Sequence, residues 1–455
     1  MQSGKCATAT WEAIAADPGL GKLPSSLKSV IYDSLAVCVG GERAVGWAKL
    51  ATAEKDAPPL AWAMRFVVDV QTGDKVDALL SLDGAVRASK TVDEPLSIFN
   101  DDAVFQLRRE LKDDGGGLRH LLTDLDEGDW IPKAPSTDAS GLWREYSLML
   151  LQDRRTVDAV RVGRKVTLPR ELLAMRLDKQ FDPIISAHPE AFDVTFAAFA
   201  TLERQRKIYA AAADDSEAYQ IIDTLRLLGR LDEALSFADA TLAKKDIRDS
   251  RGNDYRNWIE DRRAYVLFDL GRFDEGIVAE RASAGRKEND QPNVSNAINL
   301  AGMLNGAGRH ADALAALAPF EEGRETSPYG AMWVAAERAC AATGLADAAT
   351  AAKALSFTQA HVNDNRNARV KALLCANQPA EAAAVYVAWL QNPVERTEAL
   401  VQLCHFAQAS RAPFDAIIGD RFGKLRDDPA VQAAVAKVGR TDTLTLYGSV
   451  WIDFQ

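Results

Sequence analysis

Gly229-Arg230-Leu231-Asp232-Glu233-Ala234 returns as Gly271-Arg272-Phe273-Asp274-Glu275-Gly276. Weaker copies follow at Gly308-Arg309-His310-Ala311-Asp312-Ala313 and Gly344-Leu345-Ala346-Asp347-Ala348-Ala349. A degenerate one is Asn377-Gln378-Pro379-Ala380-Glu381-Ala382. The small residues that end the copies stand 42, 37, 36 and 33 apart. A glycine ends one helix, because it alone takes the left-handed conformation cheaply. An aspartate then falls at or near the start of the next helix, where unpaired amides await an acceptor. The small residue sits where two antiparallel helices touch, and an apolar helix on each side completes a hairpin. A self-similar period of this length predicts a helical repeat array.

These residues resemble the tetratricopeptide repeat (TPR) superfamily. In that family an aromatic precedes the small contact residue by sixteen positions, as Trp333 precedes Ala349. The family's Leu-small pair is matched by Leu300-Ala301, thirteen and twelve before Ala313. The repeat lengths depart from the family's roughly thirty-four residues. The resemblance implies an all-α fold, an α-solenoid of TPR-like antiparallel helix hairpins, clearest over Ser216 to Gln391. It carries no catalytic residues.

The same spacing appears in the N-terminal half. Trp62 lies sixteen before Ala78, with Gly73-Asp74-Lys75 between. Trp143 lies sixteen before Ala159, with Asp153-Arg154-Arg155 in the turn. A further hairpin is expected around Gly40-Gly41, joining Leu27–Val39 to Arg43–Glu54. Leu111 to Ser140 reads as a short helix and a long loop, rich in Asp, Gly and Pro. Thr167 to Glu190, with Pro169, Pro183 and Pro189, reads as a hinge. The expected organisation is therefore an irregular leader (1–24), an irregular helical-hairpin region (25–166), a proline-containing linker (167–204), a repeat solenoid (205–440) and a tail (441–455) that folds back as a cap.

The chain of 455 residues carries 65 acidic and 54 basic residues, a net charge of −11. Without a Lys/Arg run of five, this balance predicts no nucleic-acid partner. No apolar window is long enough to span a membrane. The opening Met-Gln-Ser-Gly-Lys-Cys lacks the apolar core of a signal peptide. Two readings follow: a cytoplasmic protein, or an exported, periplasmic one whose signal has been removed. Of the five cysteines, Cys6 and Cys38 are a possible disulfide that would pin the leader. Cys340 and Cys375 fall on the first helices of successive repeats and read as buried small hydrophobes. No CxxC occurs, which argues against zinc or redox chemistry.

No catalytic signature emerges. The five histidines are scattered, and none joins an HExxH spacing. Gly115–Gly117 lacks the lysine of a phosphate loop, and G-x-S-x-G is absent. Asp113-Asp114 and Asp124 to Glu127 read as solvated acidic loop. No metal site and no cofactor are expected. In the family that the repeats resemble, the first helix of each hairpin lines a concave groove. Matching positions are Tyr219, Asp223, Arg226, Trp258, Asp261, Tyr265, Asn305, Arg338, Asn367 and Lys371. They predict a groove that binds a protein or peptide partner, and with the lean of the cysteines toward export the leading expectation is a non-catalytic scaffold of the bacterial cell envelope. The alternatives are a cytoplasmic sensor for a peptide or small ligand, and an enzyme with an unrecognised site.

Overall fold

The structure is a computed structural model and describes residues 8–92, 104, 105, 107, 108, 111, 116–132, 137–212, 214–249, 252, 254–288, 291–320, 326–393 and 395–452. It is almost wholly helical and divides into two compact units, Met1–Val166 and Thr167–Gln455.

The first unit begins with α1 (Thr8–Ala15), so the leader is not wholly irregular. Its hairpins are α2 (Ser25–Val39) with α3 (Gly41–Ala53), α4 (Pro59–Thr72) with α5 (Lys75–Val92), and α7 (Ser140–Gln152) with α8 (Thr156–Gly163). The contact residues Ala78 and Ala159 are fully buried. Trp62 lies flat on Gly84, where a Cβ would come within 2.1 Å of the indole. Between the hairpins stands α6 (Gly117–Glu127), whose leucines 118, 121, 122 and 125 are buried. The run Asp124 to Glu127 is therefore helix rather than solvated loop. Asp126 is buried between Arg161, at 2.6 Å, and Lys165, at 2.7 Å. Asp113 and Asp114 lie outside the described residues.

In the second unit, α9 (Pro169–Leu177), α10 (Asp182–Ala187) and α11 (Val194–Ala212) precede the repeats. The repeat hairpins are α12 (Asp215–Leu227) with α13 (Leu231–Leu242), α14 (Arg256–Asp269) with α15 (Phe273–Ala284), and α16 (Val294–Gly306) with α17 (His310–Leu317). They continue as α18 (Pro328–Gly344) with α19 (Ala348–Ala360), then α20 (Arg366–Cys375) with α21 (Pro379–Gln391). A short antiparallel strand pair, β1 (Lys287–Glu288) and β2 (Gln291–Pro292), links α15 to α16.

Each turn is built on one left-handed residue: Gly229, Gly271, Gly308, Ala346 and Asn377, with φ of 69°, 79°, 75°, 58° and 56°. Gly73 and Arg154 do the same in the first unit. In the fourth copy, then, Ala346 takes the position expected of Gly344, which instead ends α18. The register moves by two, and Ala349 is exposed, not a contact residue. Ala234, Ala313 and Ala382 are fully buried as expected. At Gly276 a Cβ would meet the Ala264 carbonyl at 3.0 Å and the Phe268 ring at 2.5 Å, so the helices approach too closely for alanine.

The aspartates of the signature mostly do not cap. An arginine holds the N-cap position, and its guanidinium reaches the acid three residues on. These clips are Arg230–Glu233 at 2.5 Å, Arg272–Glu275 at 2.6 Å and Arg309–Asp312 at 2.6 Å. Only Asp347, itself at the N-cap, accepts from a helical amide, that of Thr350 at 3.1 Å.

The chain then turns back on itself through α22 (Arg396–Gln402), β3 (His405–Ala407), α23 (Pro413–Arg426), α24 (Pro429–Val438) and β4 (Thr443–Tyr447). β3 and β4 pair in parallel. Leu444 and Leu446 enter a core shared with Leu173, Leu177, Tyr386 and Phe422. The stretch expected to be a hinge is clamped within this core. Asp178 is fully buried and bonded to Arg396 Nε at 2.7 Å. Arg170 pairs with Glu398 and Arg440 with Asp182, at 2.6 and 2.7 Å. The Arg440 amide donates to the Leu177 carbonyl at 2.9 Å. Prolines 169 and 183 occupy the first helical turns of α9 and α10, where a missing amide costs nothing, so they start helices rather than break them.

Cys340 and Cys375 are not isolated thiols. They form a disulfide between α18 and α20, with Cα atoms 4.9 Å apart. Helices of successive repeats bring the two positions side by side, a juxtaposition that linear spacing does not reveal. Cys38 is disulfide-bonded, and Cys6 lies outside the described residues. Cys404 is a buried free thiol, pushed up to about 12 by burial.

Candidate functional site

The first helices of the five hairpins, α12, α14, α16, α18 and α20, turn one face toward a common interior. The returning segment covers that face. The Ser410 amide donates to the Asp269 carbonyl at 3.1 Å, binding the strip before α23 to the end of α14. Tyr447, at the end of β4, packs on Gly229, where a Cβ would stand 2.2 Å from its ring. Glycine thus serves twice at this position, for the turn and for docking of the tail. Between repeats and returning segment remains a cavity of about 470 Å³. Its walls include Arg226, Arg262, Tyr265, Trp333, Glu337 and Lys371 from the repeats, and Arg411, Asp415 and Ser449 from the segment.

The charged groups on the repeat side form a continuous network. Arg226 is nearly fully buried, bonded to Asp269 Oδ2 at 2.8 Å and Asp223 Oδ1 at 3.0 Å. Asp223 also meets Arg262 Nε at 3.1 Å. Arg262 lies over the rings of Tyr219 and Tyr265, at 4.3 and 5.3 Å, and donates to the Tyr219 hydroxyl. Such stacking suits a planar, weakly hydrated guanidinium. Behind it, Asp261 is fully buried and accepts from Asn299 at 2.8 Å. The carboxyl of Glu280 is raised well above its usual range, first by burial and then by Asp261 beside it. At the far wall, Lys371 pairs with Glu337 at 2.6 Å, and Asn305 donates to the same carboxylate at 2.9 Å.

The ten residues expected to line a groove divide accordingly. Asp223, Arg226, Tyr265 and Lys371 meet at the cavity. Asp261 and Asn305 lie behind it, and Tyr219 braces Arg262. Asn367 borders an adjoining pocket, where it accepts from Gln402 at 2.6 Å. Arg338 points between helices, donating to the Leu317 and Phe320 carbonyls at 3.0 and 2.7 Å. Trp258 packs beside Tyr255, with ring centres 6.5 Å apart. Arg262 and Glu337 are not among the ten, and Trp333 enters the sequence reading only as a repeat-spacing aromatic, although each lies on a first helix and lines the cavity. Arg411, Asp415 and Ser449 gave no signal, because they lie beyond the last repeat.

Asp415 differs from the other acids of the cavity. Burial pushes its carboxyl up to about 6, with Lys371 and Arg411 acting against the shift and Glu337 with it. It accepts no hydrogen bond and joins no ion pair among the described residues. It lies on Gly306, where a Cβ would fall 2.1 Å from Oδ2. Arg411, four residues earlier and before the helix begins, likewise joins no ion pair among the described residues, and its Nε is buried without a hydrogen-bond partner. Nearby, His310 Nδ1 donates to Asn305 Oδ1 (3.1 Å), the ring packs edge-on against Phe414, and burial lowers its pKa.

No family model matches the chain, and no curated protein does. Among solved structures it is similar to the APC/C hetero-tetramer Cut9-Hcn1, at 10% identity over 94% of this chain and 86% of that one, with a TM-score of 0.29. It is also similar to the P58(IPK) TPR domain, at 12% identity over 83% and 98%, TM-score 0.18. A third is Naa15/Naa10 bound to HypK-THB, at 9% over 94% and 83%, TM-score 0.22. The repeat assignment stands on the chain's own hairpins. Antiparallel pairs in succession, most turned by a left-handed residue and seated on a buried small one, give each of the two units the architecture of a helical-hairpin repeat array.

Proposed function

We propose that this chain is a non-catalytic binding protein that holds a small ligand or short peptide in the interior of its second unit. The observation that carries the reading is the closed inner face. The surface expected to receive an extended protein partner already bears the chain's own segment from Ser410 to Ile418, and a cavity remains beneath it. Its volume, about 470 Å³, falls within the range of small-molecule sites. The mixture of aromatic walls and fixed charges suits recognition. The carboxylates Asp223, Asp269 and Glu337 are each held by a cation, an arrangement that positions rather than transfers protons.

The reading extends to location. A disulfide between two repeat helices favours an oxidising compartment, hence an exported protein of the cell envelope. An envelope scaffold for a larger protein partner is the second reading. It requires the returning segment to leave the inner face.

Native mass spectrometry of the protein purified without denaturation tests the proposal. The folded chain is expected to carry a small non-covalent adduct that is lost on unfolding. Ile298→Trp places a large ring in the cavity wall and should remove the adduct while the far-ultraviolet circular dichroism stays unchanged. A bare mass for the parent, or an adduct indifferent to Ile298→Trp, would count against it.

A further inference from the structure

The second unit spends nearly all of its interior charge on itself. Of the cavity's four acids, Asp223, Asp269 and Glu337 are ion-paired. Of its four bases, Arg226, Arg262 and Lys371 are ion-paired. One charge of each sign joins no ion pair among the described residues, Asp415 and Arg411; both come from the returning segment, each lies in the other's field, and Asp420 adds to the field on Arg411. Both are partly buried, and a charge drawn out of water without a partner is costly, so proteins ordinarily pair it or neutralise it. The first turn of α23 suits a carboxylate, which explains an acid at position 415. It does not explain why that acid turns inward onto Gly306, where the helix would equally accept it in water.

Resting on the reading of this cavity as a ligand site, we infer that its ligand is a zwitterion of amino-acid size, whose ammonium group meets Asp415 and whose carboxylate meets Arg411. The two charges stand four residues apart on one segment, each in the other's field, so one ligand carrying both opposite charges can meet the pair. The ligand's side chain lies against the aromatic and aliphatic wall of Trp333, Tyr265 and Ile298. The Ser449 hydroxyl, buried without a hydrogen-bond partner at the same cavity, adds a donor or acceptor. Bound ligand would bridge the repeats to the returning segment and so hold the unit closed.

A thermal-shift panel of the common free L-amino acids on the full chain tests this, each compared with its N-acetyl and its carboxamide derivative. A ligand that binds only the folded state raises the melting temperature. At least one free amino acid is expected to raise it, and removal of either charge should weaken binding by about tenfold or more. Asp415→Asn and Arg411→Gln should each abolish the shift, and each variant's unliganded melting curve shows whether it is folded. The inference falls if no free amino acid stabilises the chain, if the derivatives stabilise equally, or if both variants respond like the parent. An adduct still present in native mass spectrometry and removed by Ile298→Trp would then show that the cavity holds a ligand of another class. Loss of both signals would sink the cavity reading as well.

Discussion

At the scale of single residues, the array depends on where a side chain is forbidden. Ala234 is fully buried at a helix contact, whereas Ala349, which looks equivalent in the linear repeat, is exposed. The two make a matched test. Ala234→Leu must push two packed helices apart and should destabilise by about 1–3 kcal/mol. Ala349→Leu should stay within about 0.5 kcal/mol of the parent. Chemical denaturation of the two variants checks this, and equal losses would place the register of the fourth repeat back on Gly344. The reason for the slip is physical. A left-handed turn prefers glycine but does not demand it, and Ala346, Asn377 and Arg154 adopt it where the surrounding hairpin imposes it. Reading the turn from glycine alone therefore moves the register wherever another residue fills the position.

At the scale of elements, helix periodicity and turn spacing were legible from the sequence. The hairpins from Asp215 to Gln391, and those carrying Trp62 and Trp143, follow from patterns within about forty residues of chain. What was illegible depends on contacts between elements far apart in sequence. Asp178 finds Arg396 only because the chain closes, and nothing near either residue announces the other. Four of the ten expected site residues reach the cavity, because the first helices do face inward. The remaining wall of the site comes from a segment with no repeat signature. The disulfide belongs to this scale too. It ties α18 to α20 across a separation of 35 residues. Replacing Cys340 and Cys375 together by alanine should lower stability by about 2–4 kcal/mol, measured by denaturation without reductant. An unchanged midpoint, with the same midpoint for parent in reductant, would mean that the bond does not form.

At the scale of the second unit, the returning segment covers the inner face of an array that would otherwise be open. An open solenoid contacts only its neighbours along the chain. Here α9 packs on α22, the strip at Ser410 on α14, and Tyr447 on the turn after α12. These long-range contacts make the returning segment part of the fold and create the only setting in which Asp415 and Arg411 face the repeats. Closure therefore requires that segment to occupy the inner face in solution. Hydrogen–deuterium exchange of the full chain, read at the amides of 405–418 and 441–452, measures it directly. Closure predicts that the amides of Ser410, His405 and the β4 strand exchange as slowly as those of α12 and α14, since each exchanges only when the unit opens. Exchange of these segments at the rate of unstructured chain, with the repeat helices still protected, would contradict it.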